Sequence, residues 1–441
     1  MKKLFTKLIL CLVLLLGFHH ARADHMVGSD ITWECLGGDT FKITVTAYRD
    51  CNGIPFPNTP ITVRPLCGGS SITVNGGLSG GLDITPVCKK SCTRCKSAAC
   101  DYPDGVPYGI EQYFIEGTVL LPTGCCKFAV SWGHCCRSAG ITTGPTWNDY
   151  YIEGEMNRCV TPCSNSPYFT NPPVALYCAG QCVVYNQGVN DKDVDFNGQA
   201  DSLVYFLAEP MQSKGTPVNW TTPFSHKEPL TYQGFPGNTS GEWNPPKKCE
   251  GFTLDPETGD LRFKAMVGGE VTVLAIRVEE WRKDSTGKPV KIGEIRRDLQ
   301  ILIVDCPDNR APIISGINGE NAISNMDFCA NQSKCFTIYG FDVDEDSVAM
   351  SSNVAQTIPG AEFTILPGSK KNAATGTFCW TPTNADVRSY PYRFVVTVVD
   401  DACPVNGRSS RSFGIKVNAS PEATYSATVG ACGVVKFAAF P

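Results

Sequence analysis

FTLDPETGDLRF at residues 252–263 and FTILPGSKKNAATGTFCW at residues 363–380 open on the same F-T-[LI]-x-P phrase. Each then turns on a Gly-containing stretch and enters an apolar strand, carrying Leu261 and Phe263 in one and Phe378 and Trp380 in the other. The flanking parts recur in the same order. A proline-marked start (SPYFTNPP from Ser166, NRAPII from Asn309) precedes a cysteine pair, Cys178 and Cys182 or Cys329 and Cys335. An acidic loop follows, and each copy closes on an alternating strand, EVTVLAIRVEEW (270–281) or YRFVVTVVDDACP (392–404). Short strands at regular spacing with turns between them predict one β-sandwich per copy. Each copy spans about 100–130 residues, an ordinary domain size.

Before the copies lies a cysteine-rich unit. DTFKITVTAYRDC (39–51) sets Phe41, Ile43, Val45 and Ala47 against Lys42, Thr44, Thr46 and Tyr48, the period of a half-buried strand. EQYFIEGTVLLP (111–122), CCKFAVSWGHCCR (125–137) and WNDYYIEGEMN (147–157) read as further strands. Neighbouring strand residues face opposite ways. One cysteine of each pair, Cys125-Cys126 and Cys135-Cys136, is therefore expected to bridge inside the core and the other outside, with Trp132 packed within. The expected division is a signal peptide at 1–23, the cysteine-rich β domain at 24–164, sandwich modules at 165–306 and 307–418, and the start of a further, truncated module at 419–441. The fold class is all-β, tandem Ig/cadherin-like sandwiches after a cysteine-rich β domain.

The opening MKKLFTKLILCLVLLLGFHHARA has a basic start (Lys2, Lys3, Lys7), an apolar run from Leu8 to Phe18 and a small-x-small site at Ala21-Arg22-Ala23. That is a secretory signal, too short for a comfortable membrane span. Cys11 lies within the apolar run rather than at its end, which argues against a lipoprotein anchor, and no other long apolar segment follows. Secretion puts the remaining cysteines in an oxidising compartment, where they serve as bridges. VCKKSCTRCKSAAC (87–100) carries a C-x2-C, but no second pair at zinc-finger distance. Its four cysteines are therefore expected to be disulfide halves. With Gly 42, Pro 31, only 18% charged residues and a net charge of −5, the chain is a poor match to nucleic acid or anionic lipid.

These residues carry a resemblance. GVNDKDVDFNGQADSLVYFL (188–207) resembles the cadherin-type loop in which Asp-x-Asp precedes an apolar strand, and FTLDPETGDLRF is similar to the phrase that follows it there. TGTFCWTPTNADVRSYPYRFVVTVVDDACP (375–404) resembles the Ig-like modules of bacterial adhesins. VDCPDNRAP (304–312) is a loose version of the cadherin linker D-x-N-D-N-x-P, departing from it at Pro307. DHMVGSDITWECLGGDTFKITVTAYRDCNGIPF together with CCKFAVSWGHCCR and RRDLQILIVDCPDNRAP is similar to the large exported surface proteins of Bacteroidota, gliding-motility-associated or type IX secretion substrates. The resemblance implies an adhesive or structural surface protein. The sorting module of that group is not in this sequence.

The acidic loops are the candidate metal sites. Asp191, Asp193 and Asp195 alternate, with Asp201 beyond them; Asp342, Asp344 and Asp346 repeat the pattern. Asp305 and Asp308 lie in the linker, and Asp400 at the far end of the second copy. Ca2+ takes about six to eight hard oxygens, which alternate carboxylates in a tight loop can supply. The spacing does not close as an EF-hand. The plain alternative is that Asp and Asn are ordinary turn residues. With calcium, the expected arrangement is a modular rod, rigid when loaded and flexible when not. Candidate disulfides are Cys335 with Cys379 and Cys329 with Cys403.

No H-E-x-x-H or phosphate loop is present, and GNTSG (237–241) misses G-x-S-x-G by one residue. His134 beside Cys135 could suggest a Cys–His nucleophile, against a structural role. Trp147, Tyr150 and Tyr151 could stack on sugar, against core packing. The reading is a non-catalytic exported adhesin or stalk whose partner is an unidentified protein or polysaccharide. The rivals are a carbohydrate-active enzyme or its sugar-binding part, and a pure spacer whose binding domain lies elsewhere.

Overall fold

The computed structural model describes residues 26–100, 105–106, 108–173, 176–193, 201–236, 249–306, 309–367 and 370–420, and, as backbone, 424–429 and 435–440. The signal sequence, Asp195, Asp308 and Cys432 lie outside them.

The architecture is all-β. The N-terminal unit has eight strands: β1 (Met26–Gly37), β2 (Thr40–Asp50), β3 (Ile61–Pro65), β4 (Ile72–Val74), β5 (Gly77–Asp83), β6 (Ile110–Leu120), β7 (Lys127–His134) and β8 (Tyr150–Asn157). The alternation in β2 turns Phe41, Ile43, Val45 and Ala47 fully inward. Two runs, β5–β6–β2–β1 and β4–β3–β7–β8, face one another over a core that includes Trp132.

The first copy holds β9 (Tyr168–Phe169), β10 (Leu176–Cys178), β11 (Cys182–Asn186), β12 (Val189–Asn190), β13 (Ser202–Ala208), β14 (Met211–Ser213), β15 (Thr216–Pro217), β16 (Thr253–Leu254), β17 (Asp260–Lys264), β18 (Val271–Lys283) and β19 (Pro289–Val304). The second holds β20 (Ile313–Ile314), β21 (Asn325–Cys329), β22 (Lys334–Phe341), β23 (Ala349–Ser352), the short helix α1 (Val354–Thr357), β24 (Glu362–Pro367), β25 (Ala373–Trp380), β26 (Tyr392–Val399) and β27 (Arg408–Asn418). Strands β28 (Thr424–Val429) and β29 (Val435–Phe440) form a hairpin beyond it.

The repeat read from the sequence is a repeat of topology. The second copy stacks β20–β22–β25–β24 on β21–β27–β26–β23, and β21 runs parallel to β27. In the first, β11–β17–β16 lies against β10–β19–β18–β13, with β10 parallel to β19. Phe328, Phe336, Phe378, Phe394 and Phe413 pack the second core.

A seam at 164/165 is absent. Strand β18 takes one edge of β19 along its length. The other edge is shared in succession: β8 at Gly293–Glu294, β1 at Arg297–Leu299 and β10 at Leu302–Val304. The N-terminal unit and the first copy thus form one sheet and one continuous core. Gly28 permits the close approach, since a Cβ there would overlap the Asp298 carbonyl and stand 2.9 Å from Leu299 Cα. Two buried ion pairs flank it. Arg137 donates to both carboxylate oxygens of Asp298 at 2.8 and 2.6 Å, and Arg297 donates to Asp30 at 3.0 and 2.7 Å.

Ten disulfides join described residues. Within 87–100, Cys92 bonds Cys100, Cys95 bonds Cys51, and Cys88 bonds Cys403 in the second copy. Cys125 and Cys126 reach different partners, Cys67 and Cys159, but Cys135 and Cys136 bond each other. Cys335 bonds Cys379 across β22 and β25. Cys35–Cys163, Cys178–Cys306 and Cys182–Cys249 complete the set.

The Cys329–Cys403 pairing is not formed, and Cys329 has no disulfide partner among the described residues. Cys329 lies beside Asn418 at one end of β27, whereas Cys403 precedes its other end. An eleven-residue strand separates such ends by roughly 30 Å, far beyond a disulfide's reach. Cys403 instead faces the N-terminal unit, where Cys88 N–H donates to the Pro404 carbonyl and Val87 bridges Val405. The second copy is therefore fastened back to the first unit rather than strung out from it.

Candidate functional site

Both acidic loops lie where the chain enters their sandwich. In the first copy, Asp191 follows β12, Asp201 precedes β13, and the β13–β18 register sets Leu203 opposite Glu280. This brings one carboxylate oxygen each of Asp191, Asp201 and Glu280 within 4.8 Å of one another. Arg282, two residues along β18 and so on the same face, grips Asp201 with Nε at 2.8 Å to Oδ1 and with Nη2 to Oδ2. Its Nη1 donates to Thr161 at 2.8 Å. Asp193 turns outward to the entering chain, accepting from Ser164 Oγ and Asn165 N, both at 2.7 Å. Asn165 and Ser166 in turn accept from the Cys35 and Trp33 amides of β1.

Charge and hydrogen bonding are incomplete in this pocket. Four carboxylates face the Arg282 guanidinium, whose Nη2 stands 3.6 Å from Asp193 and 4.0 Å from Glu280, and the charge of Arg388 from the second copy also reaches Asp191. Glu280 is 1% exposed, yet among the described residues its Oε1 has no hydrogen-bond partner, and neither has the enclosed Oδ2 of Asp191. Burial, reinforced by the neighbouring carboxylates, pushes Asp191 up to about 7 and Glu280 well above the usual range. A hard divalent cation, or a shared proton, would supply what such a set lacks. The donor set fits Ca2+ in kind, since all of its groups are oxygens.

Glu280 was not among the residues the sequence singled out. Its signal is Glu279-Glu280 within an apolar alternating strand, where one of two adjacent acids must face inward.

The second loop is organised differently. Arg310 neutralises Asp344, through N at 2.6 Å and Nε at 2.8 Å, and holds its carboxyl below the usual range. Asp342 Oδ1 accepts the amides of Asp344 at 2.7 Å and Asp346 at 3.3 Å, while its Oδ2 has no hydrogen-bond partner among the described residues. Asp400 accepts from Ala402 N, Gly407 N and Asn309 Nδ2, and burial raises it to about 6. Among the described residues no third carboxylate converges here as Glu280 does in the first loop. Asp305 lies against Gly268, at the opposite end of β18 from Glu280.

The remaining candidates separate. The sulfur of Cys135 is held in a disulfide, so no Cys–His nucleophile forms. Tyr150 is in the core with its hydroxyl on Ser29, Tyr151 is bonded to Glu153, and Trp147 is exposed.

No family model and no curated protein matches the chain. Among solved structures it is similar to cadherin-like domains 1 to 4 of zebrafish RET, at 15% identity and a TM-score of 0.19, over 42% of each chain. It is also similar to a structure of Dpr2 Ig1–Ig2 in complex with DIP-Theta Ig1–Ig3, at 8% identity and a TM-score of 0.18, covering 86% of this chain and 94% of that one. Among the described residues no helix is long and apolar enough to cross a membrane.

Proposed function

We propose that this chain is a non-catalytic, exported cell-surface protein, an adhesin or structural element of the gliding-motility-associated, type IX-secreted kind its sequence resembles. The observation that carries the reading is cross-linking into one body: β19 is shared by two units, and Cys88–Cys403 fastens the third. Such bonding suits a protein that bears load or presents a fixed surface. It moves the role of calcium away from stiffening a rod. The reading puts Ca2+ on Asp191, Asp201 and Glu280, where it would tie Asp191 and Asp201 to β18 behind the entering segment Ser164–Ser166.

Thermal unfolding of the oxidised chain in EDTA and then in millimolar Ca2+ tests it. A ligand that binds only the folded form must raise the midpoint, by about 2.7 kcal/mol at one hundred times its Kd. The rise should vanish in Glu280→Gln. An unchanged midpoint removes the cation and leaves the disulfides as the source of rigidity.

A further inference from the structure

A cleft of about 460 Å³ opens between the two sandwich copies. Val184, Ile313 and Val343 give it an aliphatic floor, and Arg262, Arg310 and Arg411 line it. Among the described residues no acid lines it, although acids outnumber bases in the chain, 43 to 38; Asp305 lines an adjoining pocket that shares Gly180, Gln181 and Arg310. Two nearby carboxylates offset part of the charge: Asp344 pairs with Arg310, and buried Asp260 accepts from Asn186 and from the Ser412 amide. Arg411 is pushed down by burial and by the charge of Arg262. The cleft therefore gathers positive charge over apolar surface in an otherwise acidic protein.

We propose that this cleft binds an acidic, aliphatic peptide segment in extended form. Guanidinium pairs suit carboxylates, making charge-assisted hydrogen bonds in a forked geometry. One wall is β11 and the other is β27, and two strands this close confine a bound segment to an extended course. Among the described residues no aromatic side chain lines the cleft to offer a sugar ring a stacking surface. The inference rests on the reading of the chain as a binding protein and names its ligand class. It is independent of the cation pocket.

The test is fluorescence anisotropy on the full oxidised chain with a labelled hexapeptide alternating leucine and glutamate. Controls are the leucine–glutamine counterpart and unlabelled polygalacturonate as competitor. The glutamate peptide should bind at least tenfold tighter than the glutamine one, and more weakly as salt rises. Arg262→Gln and Arg411→Gln should each cost about tenfold or more. Arg310→Gln, on a side chain 67% exposed, should weaken binding at an unchanged melting midpoint even if the other variants unfold. Equal binding of both peptides, no binding, or wild-type affinity in Arg310→Gln overturns the proposal. So does polygalacturonate binding where the peptide does not. Shortening of the polygalacturonate on incubation would instead sink the non-catalytic reading.

Discussion

Asp191→Asn isolates the electrostatic cost of the acidic pocket. Asp191 titrates near 3.8 when unfolded and at about 7 when folded, because burial and the charges of Asp201 and Asp193 disfavour its ionised form. A carboxyl raised on folding binds more protons in the folded state between those two values. Stability is therefore lost as pH rises from about 4 to about 7. At about 1.36 kcal/mol per unit, the loss from this one group is at most about 4 kcal/mol. At roughly 2 °C per kcal/mol for a body of this size, the midpoint should fall by up to about 8 °C. Glu280, Asp193, Asp201, Arg282 and Arg388 all act on the group, and Asp260 and Asp400 shift in the same direction. The readout is therefore the difference between wild type and Asp191→Asn, scanned by calorimetry in EDTA from pH 4.5 to 7.5. The variant should flatten the decline, and saturating Ca2+ should flatten it in the wild type alone. Parallel pH profiles for the two proteins in EDTA would refute the reasoning.

Cys88→Ser with Cys403→Ser should lower stability by roughly 2–5 kcal/mol and free the second sandwich from the N-terminal unit, read by chemical denaturation and small-angle scattering. Arg137→Met should cost about 3–5 kcal/mol by leaving Asp298 buried and unpaired, and Asp298→Leu added to it should recover much of that, read as a double-mutant cycle in urea. Gly28→Val should prevent β1 from docking on β19 and expose their shared core, scored as loss of the cooperative transition against an intact Gly77→Val control.

Much of the architecture was legible because it is local. The alternation in DTFKITVTAYRDC and the twin F-T-[LI]-x-P phrases stated strand period and repeat, and side-chain periodicity needs only neighbouring residues. Cys335 and Cys379 stood at matching positions on strands that pair directly, so their bond was readable too. What escaped depends on which edges meet. Nothing in PVKIGEIRRDLQILIV says that one side of β19 will receive β8, β1 and β10 in turn, since main-chain pairing is indifferent to sequence. The bond from Cys88 to Cys403, which takes Cys403 away from Cys329, and the seat of Glu280 beside Asp191 follow from that docking. The sequence by itself determined the all-β class, the repeat and the acidic loops, through spacing along the chain. Only the tertiary structure decided which loop gathers its carboxylates and which cysteine reaches which. Those depend on approach between strands far apart in sequence, where burial and close packing select one arrangement among many that the pattern allows.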